Sequence, residues 1–273
     1  MKISIIVTNY NYRRFLPAVV ESIITQSPDE LIIVDDGSTD GSKEWLKQWQ
    51  TKALVIFKNN GGQASAMNMG FAASTGDLVW FIDADDVLLP GAIDAVRVNV
   101  WEEISKVHLR CRIINADGDL GRWLPRKWLS LPTGDLRTVY GYLGFYPSVP
   151  TSGNVYTRKF LERLMPIPEG AYRICADAYL HDLAPGGGEI GAISKPLVGY
   201  RHHSSNNFAG QDVRTDYKWL ACKVQRLDAK WRSIQAFDRR PRWLVRVGFV
   251  LSPDYLRTIG SLRSSTEFRT RGI

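Results

Sequence analysis

The stretch LVWFIDADD (78–86) consists of five consecutive apolar residues followed by three carboxylates in four positions. An uninterrupted apolar run of this kind is typical of a strand that is buried on both faces. Two earlier stretches repeat the arrangement: ISIIV (3–7) precedes TNYN (8–11), and LIIV (31–34) precedes DDGSTDGS (35–42). Ligands bind beyond the carboxyl ends of the strands in parallel sheets, so we expect the three polar clusters to share one rim.

Segments with helical periodicity separate these strands. Apolar residues recur at helical spacing over 15–24, and a second helix is predicted through 45–49. A further strand at 53–57 is followed by a predicted helix over 63–73. Strict alternation of strand and helix implies right-handed crossovers and parallel pairing. The sequence therefore predicts an α/β fold with a mostly parallel central sheet flanked by helices.

The rest of the chain divides into a less regular half and a basic tail. Strand-like patterns at 107–114 and 190–198 predict one domain over 1–207, which is regular to about residue 100 and less regular after it. From 208 to 273 the pattern is that of basic amphipathic helices, with 14 Lys/Arg against 6 Asp/Glu. This helical appendage could contact anionic lipid, or dock on the catalytic domain or on a second subunit. The domain itself is almost neutral, which argues against nucleic acid as a partner.

Composition narrows the class of protein further. The 273 residues are 44% hydrophobic, which is enough for a substantial core. No apolar run approaches the ~20 residues that span a bilayer, and the N-terminus lacks the features of a signal peptide. Three cysteines without CxxC spacing indicate thiols in a reducing compartment. We therefore expect a cytoplasmic protein, peripheral on the inner membrane face only if the tail binds lipid.

The carboxylates after the third quoted strand are the first candidate for chemistry. Asp83 and Asp85 are two apart, so on an extended chain they project to the same side. Two such oxygen donors with open coordination positions suit Mg²⁺ or Mn²⁺, which completes its shell with phosphate oxygens and water. The alternative is a capped turn, in which Asp86 caps the next helix. The position after a buried strand, on a predicted ligand rim, favours the metal site.

Two further features of the rim have two interpretations each. Asp36 could accept hydrogen bonds from a nucleotide base or ribose, or it could simply cap a turn. Gly61 and Gly62 could permit close backbone approach to a nucleotide, or only tight packing of helix on sheet. Neither a GxGxxG nor a GxxxxGK[ST] motif occurs, which excludes the usual dinucleotide and P-loop signatures.

Four stretches carry a resemblance to a known family: SIIVTNYNYRRFLPAVVESIITQS (4–27), ELIIVDDGSTDGS (30–42), NNGGQASAMNMGFAASTGDLVWFIDADD (59–86) and YRHHSSNN (200–207). In order and spacing they resemble the family 2 glycosyltransferases of the GT-A fold. The resemblance implies an inverting transferase that uses a nucleotide-diphosphate sugar, with a UDP-sugar as the first expectation, and Mn²⁺ or Mg²⁺. It also implies a glycan or lipid-linked acceptor in cell-surface polysaccharide assembly. By the same resemblance, 1–207 would be the catalytic domain, with a nucleotide-binding half over about 1–100 and an acceptor half over about 101–207.

The resemblance also assigns roles to residues by position. Asp85 would be the direct metal ligand, Asp83 would lie nearer the ribose or the metal-bound water, and His203 could be a third ligand. The nucleotide site would be lined by Thr8, Asn9, Tyr10, Asp36, Asn60, Gly62 and Asp83.

An acceptor-side base is expected later in the chain. Family members carry an acidic pair that opens a helix, and here Ala176 replaces the first acid, which leaves Asp177 as the candidate base. A helix cap or salt bridge is the alternative for Asp177. Ser152 and Gly153 are candidates for the donor-sugar or acceptor pocket, where a simple loop is the alternative, and Arg201 could meet a phosphate oxygen.

The tail lacks the Gln-x-x-Arg-Trp motif of processive membrane synthases, because Arg239 stands at the Gln position before Arg242-Trp243. The sequence thus favours transfer of a single sugar. One rival hypothesis is a sugar nucleotidyltransferase, for which the Gly-rich basic phosphate loop is missing. The other is a non-catalytic nucleotide- or glycan-binding relative, which the lone Asp177 keeps open.

Overall fold

The apolar runs of the first hundred residues form parallel strands in the computed structural model, which describes residues 1–143 and 146–203. The four strands are β1 (Ile3–Asn9), β2 (Glu30–Asp35), β3 (Leu54–Phe57) and β4 (Leu78–Asp83). They alternate with the helices α1 (Leu16–Ile24), α2 (Ser42–Leu46), which continues into a 3-10 turn (Lys47–Trp49), and α3 (Gln63–Ala73). The predicted α/β class is confirmed, and the bounds of α3 agree with the sequence pattern.

The second half has shorter elements, several of which the sequence did not predict. Its helices are α4 (Ala92–Val98), α5 (Arg137–Leu143), α6 (Arg158–Leu161) and α7 (Ala176–Gly187). Its strands are β5 (Val87–Leu88), β6 (Ile104–Ile114), β7 (Leu120–Leu124), β8 (Asn154–Thr157) and β9 (Glu189–Arg201). β6 and β9 contain the two predicted strands, whereas β5, β7 and β8 are too short to show a clear alternation of apolar and polar residues.

One sheet joins both halves. Within the described residues nine strands pair in the order β3-β2-β1-β4-β8-β6-β9-β5, and β7 pairs with β6. β1 to β4 are parallel, β8 is antiparallel to both β4 and β6, and β6 and β9 are parallel. The carboxyl ends of β1, β2 and β4 therefore meet on one rim, as the sequence predicted.

Both faces of the sheet are covered, which explains the uninterrupted apolar runs. Successive residues of β1 pack into different layers, since Ile5 belongs to the cluster under α1 and Ile6 to the cluster under α3. Gly70 of α3 lies so close to the sheet that a β-carbon there would be 2.3 Å from a methyl group of Ile6. The small residues of α3 thus permit tight packing of helix on sheet.

The predicted tail, 208–273, and the end of the fourth motif, 204–207, lie outside the described residues. Within the ranges that the structure describes, no helix is both long and apolar enough to cross a bilayer.

Candidate active site

A cleft of about 710 Å³ opens at the carboxyl ends of β1, β2 and β4. The start of α7 and the 3-10 turn Thr151–Gly153 form its other wall. Nine of the residues singled out in the sequence line this one cleft: Thr8, Asn9, Tyr10, Asp36, Asn60, Gly62, Asp83, Asp85 and Asp177. These residues are far apart in the sequence, and the ends of the strands and the start of α7 bring them together around the cleft.

The carboxylates at the end of β4 lie in a buried environment of like charge. Burial, followed by the negative charges of Asp85 and Asp177, raises the pKa of Asp83 to about 7. Burial also raises the pKa of Asp85, and burial followed by the negative charges of Asp85 and Asp83 raises the pKa of Asp86. Such mutual repulsion is relieved by a bound cation, and carboxylate oxygens are the donors that Mg²⁺ and Mn²⁺ prefer. The residues at this strand end therefore fit a divalent metal.

His203 is positioned beside this carboxylate pair. Its Nε2 lies 3.0 Å from Oδ2 of Asp85. The imidazole ring packs against Phe15 and Tyr12, with ring centroids 4.7 Å and 5.6 Å away. The aromatic contacts fix the ring, so His203 holds the carboxylate of Asp85 in one orientation.

The carboxylate of Asp36 accepts hydrogen bonds from four donors of the segment 58–62. One oxygen accepts from Nζ of Lys58 and N–H of Gly61, and the other from Nδ2 of Asn60 and N–H of Gly62, at 2.5 to 3.1 Å. A carboxylate has about four lone-pair sites, and all are used here. Asp36 therefore positions the glycine-containing loop at the cleft, and its contact with a nucleotide stays a prediction.

Asn9 likewise holds the rim together. Its Nδ2 donates to Oδ2 of Asp35 at 2.7 Å and to Oγ of Ser38 at 3.1 Å. Asp35 was not singled out in the sequence, yet it links the ends of β1 and β2. The two neighbouring carboxylates thus bind different segments: Asp35 accepts from Asn9, and Asp36 accepts from the segment 58–62. Successive side chains of an extended chain point in opposite directions, which explains the difference.

The Gly61-Gly62 pair approaches protein backbone. Gly62 has φ of +89°, and a β-carbon on it would be 2.5 Å from the carbonyl oxygen of Arg173. The next residue, Gln63, donates its N–H to that same carbonyl group at 2.8 Å. The loop and the segment before α7 are therefore packed directly against each other.

We expect Gly62→Ala to lower the free energy of unfolding by about 2–3 kcal/mol, since it combines a positive φ with a clash against backbone. Gly91→Ala is the control for a positive φ alone, because Gly91 (φ +80°, ψ 13°) is left-handed helical and has no atom within 4 Å of an added β-carbon. Gly62 (φ +89°, ψ 175°) lies in a region that is open almost only to glycine. Only the conformational cost of about 1 kcal/mol should remain at Gly91. Urea unfolding of both variants measures the difference, and equal losses would contradict the clash.

Gln63 is a site residue that the sequence reasoning missed. Its Nε2 donates to Oδ1 of Asp83 at 3.1 Å, and its Oε1 accepts from N–H of Ala176 at 2.9 Å. The side chain thus links the carboxylate of Asp83 to the first turn of α7. Its position directly after the glycine pair is the only sequence signal that could have found it.

Asp177 lies in the first turn of α7, on the opposite wall of the cleft from β4. Cys175 immediately before the helix has φ of 59°, a left-handed conformation that is rare for residues with a side chain. This turn directs the start of α7 toward the cleft. The negative charge of Asp177 contributes to the raised pKa of Asp83, so the two carboxylates face the same space.

Ser152 and Gly153, predicted for the donor-sugar or acceptor pocket, lie behind the residues that line the cleft. Oγ of Ser152 accepts from N–H of Asp83 at 3.0 Å, and its carbonyl group accepts from Nε1 of Trp80 at 2.8 Å. Both residues are buried, and Pro150 and Thr151 line the cleft in their place. Ser152 fixes the end of β4, because its hydroxyl group accepts the hydrogen bond of the Asp83 backbone N–H.

Arg201 also lies away from the predicted phosphate contact. The side chain is 3% exposed, and its Nε donates to the carbonyl oxygen of Asp85. One Nη donates to the carbonyl groups of Asn115 and Ala116, at 3.0 and 2.9 Å. The guanidinium group therefore positions the turn after β4 and does not line the cleft.

A buried lysine lies behind the part of α7 that bears Asp177. Lys106 of β6 is fully buried, and its ammonium group donates to Ser148, Asn154 and Nδ1 of His181 at 2.9 to 3.2 Å. Burial lowers the pKa of Lys106 to about 7, although the charges of Asp177 and Asp182 act in the opposite direction. His181 is one helical turn from Asp177, so this network fixes the helix face that bears Asp177.

Stability should depend on pH through Lys106. Above pH 7 the unfolded chain keeps a proton on this amine that the folded state loses, so the free energy of unfolding rises with pH. Relative to Lys106→Met, the wild type should gain up to about 1.4 kcal/mol per pH unit between pH 7 and 9. Urea unfolding at three pH values measures this gain. Lys159→Met changes an exposed lysine, and its free energy of unfolding should differ from that of the wild type by the same amount at every pH. If the curve of Lys106→Met against pH also ran parallel to that of the wild type, the lowered pKa would be contradicted.

Comparison with known sequences identifies the family. The model described as "Glycosyl transferase family 2" matches residues 4–164. An uncharacterized glycosyltransferase of Nostoc sp. is 37% identical over 218 residues, which cover 76% of this chain and 66% of that protein. The minor teichoic acid biosynthesis protein GgaB of Bacillus subtilis is 33% identical over 108 residues, 37% of this chain and 12% of that protein. The matched stretch is thus just under two thirds of the Nostoc protein and a small part of GgaB.

Solved structures share the fold. S. aureus TarS in complex with UDP-GlcNAc superposes with a TM-score of 0.62 at 16% identity, over 97% of this chain and 92% of that one. The mannosyltransferase PcManGT of Pyrobaculum calidifontis, solved with GDP-Man and Mn²⁺, has a TM-score of 0.50 at 17% identity, over 97% and 75%. At these identities the likeness concerns the fold.

Proposed function

Because this chain belongs to glycosyltransferase family 2 and has the GT-A fold, we propose that it moves a single sugar from a nucleotide-diphosphate sugar to a hydroxyl group of a glycan or lipid-linked acceptor, with inversion. One observation carries the proposal. The cleft places the carboxylates of Asp83 and Asp85 on one wall and that of Asp177 on the other. A leaving diphosphate needs a cation, which carboxylates on one wall can hold, and an attacking hydroxyl group needs a base, which a carboxylate on the other wall can supply.

The donor side would be held by the rim of the sheet. Thr8 and Asn9 end β1 at the cleft and Tyr10 follows them. Asn60 and Gly62 belong to the loop that Asp36 positions. We propose that these residues bind the nucleotide, with a UDP-sugar as the first candidate. The UDP-GlcNAc complex of TarS supports the choice of donor, since the two proteins share the fold.

Asp83 and Asp85 would hold a divalent metal, Mn²⁺ or Mg²⁺. In the described ranges no group of three or more His, Cys, Asp or Glu side chains is already arranged to hold an ion. The pair would therefore rely on diphosphate oxygens and water, with His203 orienting Asp85 or acting as a further ligand. When bound, the cation supplies positive charge that stabilises the diphosphate leaving group.

Asp177 would be the general base. As the acceptor oxygen bonds to the anomeric carbon, its proton passes to the Asp177 carboxylate, and the bond from the anomeric carbon to the diphosphate oxygen breaks. Attack from the face opposite the leaving group inverts the configuration at that carbon. The start of α7 and the link through Gln63 hold this carboxylate in place relative to Asp83.

Cell-surface polysaccharide assembly is the proposed context. The family resemblance implies it, and the similarity to the teichoic acid biosynthesis protein GgaB supports it. We further propose a cytoplasmic location, where nucleotide sugars are the donors.

A donor screen tests the proposed activity. The protein is incubated with UDP-, GDP- and dTDP-sugars and Mn²⁺, and release of the nucleoside diphosphate is measured with and without a chelator. We expect one nucleotide class to be turned over, to stabilise the protein thermally, and to lose turnover on chelation. A protein that neither binds nor turns over any donor, with an acceptor extract present, would contradict the proposal.

A further inference from the structure

The last three residues of β7 and the turn that follows them, together called the 122–129 loop, present an exposed tryptophan at the protein surface. The sequence of the loop is RWLPRKWL. Trp128 is 73% exposed and Leu129 is 42% exposed, both well above the exposure usual for such large apolar side chains. None of the loop residues lines the candidate active site. The loop therefore carries apolar surface that the proposed sugar transfer does not use.

A buried arginine holds this loop in its conformation. Arg110 of β6 is 2% exposed, and its guanidinium group donates to the carbonyl groups of Pro125, Arg126 and Leu129 at 2.7 to 2.8 Å. A fourth hydrogen bond reaches the carbonyl group of Ser194 at 3.0 Å. Burying a cation is costly, and here it fixes the backbone on both sides of Trp128. The shape of the loop is thus set before any partner binds, which lowers the entropic cost of binding.

Exposed cations precede the exposed tryptophan in the sequence of this loop. Arg122, Arg126 and Lys127 are exposed, and the sequence from 120 to 134 contains no Asp or Glu. The ammonium group of Lys127 lies 5.4 Å from the ring centroid of Trp123, which keeps it at the base of the loop. Positive charge beside Trp and Leu is the composition that binds at the interface of an anionic bilayer.

We propose that the 122–129 loop is a docking surface for an anionic lipid bilayer, with Trp128 and Leu129 at the headgroup level and the cations on lipid phosphates. This loop and the basic tail predicted over 208–273 are different stretches of the sequence. An anionic polysaccharide would satisfy the cations too, but a hydrated polymer gives the apolar Leu129 no environment to enter. The bilayer therefore accounts for both kinds of side chain.

Vesicle binding by the full chain tests the charge contribution. The probe is sedimentation with vesicles of phosphatidylcholine alone or mixed with phosphatidylglycerol. Each cation near such a surface contributes about 1 kcal/mol, so Arg126→Glu with Lys127→Glu should lower the partition coefficient on anionic vesicles at least about tenfold. The control, Lys47→Glu with Lys159→Glu, makes the same charge change at exposed sites elsewhere and should alter binding less than about threefold.

Insertion of Trp128 is tested by fluorescence. Brominated phosphatidylglycerol quenches tryptophans that enter the bilayer, and the chain has nine tryptophans. We expect quenching in the wild type that Trp128→Phe largely removes, and that Trp101→Phe, a change at another partly exposed tryptophan, leaves in place. Unchanged quenching in Trp128→Phe, unchanged vesicle binding in the charge-reversed variant, or binding to soluble dextran sulfate but not to vesicles would each overturn the proposal.

Discussion

Replacing Asp177 with asparagine is expected to lower the rate of sugar transfer by about 10²–10⁴-fold, because the amide cannot take the proton of the acceptor hydroxyl group. The shape of the side chain is nearly unchanged, so donor binding should stay within about threefold of the wild type. Steady-state rates with the donor found in the screen measure the first quantity, and calorimetric titration with the nucleoside diphosphate measures the second.

Asp182→Asn is the matched control for this experiment. Asp182 lies on the same helix, five residues on, and is not among the residues that line the cleft. A role of Asp177 limited to capping α7 would lower thermal stability and leave the rate of the folded fraction intact. Equal transfer rates for Asp177→Asn and Asp182→Asn would therefore exclude Asp177 as the base.

Replacing Asp85 with asparagine should reduce transfer by about 10²–10³-fold, because stabilisation of the leaving group by a metal is worth several kcal/mol. The Mn²⁺ concentration that gives half the maximal rate should rise at least about tenfold. Titration of the rate with Mn²⁺, after removal of metal with a chelator, measures both effects. In the wild type, chelation should abolish transfer and added Mn²⁺ or Mg²⁺ should restore it.

Asp77→Asn provides the comparison for Asp85. Asp77 is exposed next to the opposite end of β4 and accepts a hydrogen bond from the N–H of Lys2. Its replacement should leave the Mn²⁺ dependence unchanged. A wild-type dependence on Mn²⁺ in Asp85→Asn would show that Asp85 is not a metal ligand.

The bounds of long, regular elements could be predicted well from the sequence. β4 and α3 agree with the predicted segments, because Gly, Ser, Thr and Asp residues bound these runs of apolar and small residues on both sides. The helix predicted through Trp49 ends in a 3-10 turn and begins earlier, at Ser42, where Asp40 accepts the hydrogen bond of the Ser42 N–H. Helix ends depend on such single hydrogen bonds, so their bounds are less certain from the sequence.

Several side chains were expected at the cleft and lie behind it. Ser152 and Arg201 were interpreted as pocket residues because of their polarity, yet both use their polar groups on the backbone at the end of β4. Sequence patterns indicate that a residue is polar and where along an element it lies. They do not indicate whether its partner is a ligand or the protein's own backbone.

The sequence by itself determined the parallel half of the sheet and the rim on which Thr8, Asp36 and Asp83 meet, because strand alternation and right-handed crossovers are local rules. Only the tertiary structure decided what each polar group binds. Gln63 reaches Ala176 across 113 positions, and Lys106 reaches His181 across 75. Contacts of this range follow from packing of the whole chain, which no local pattern encodes.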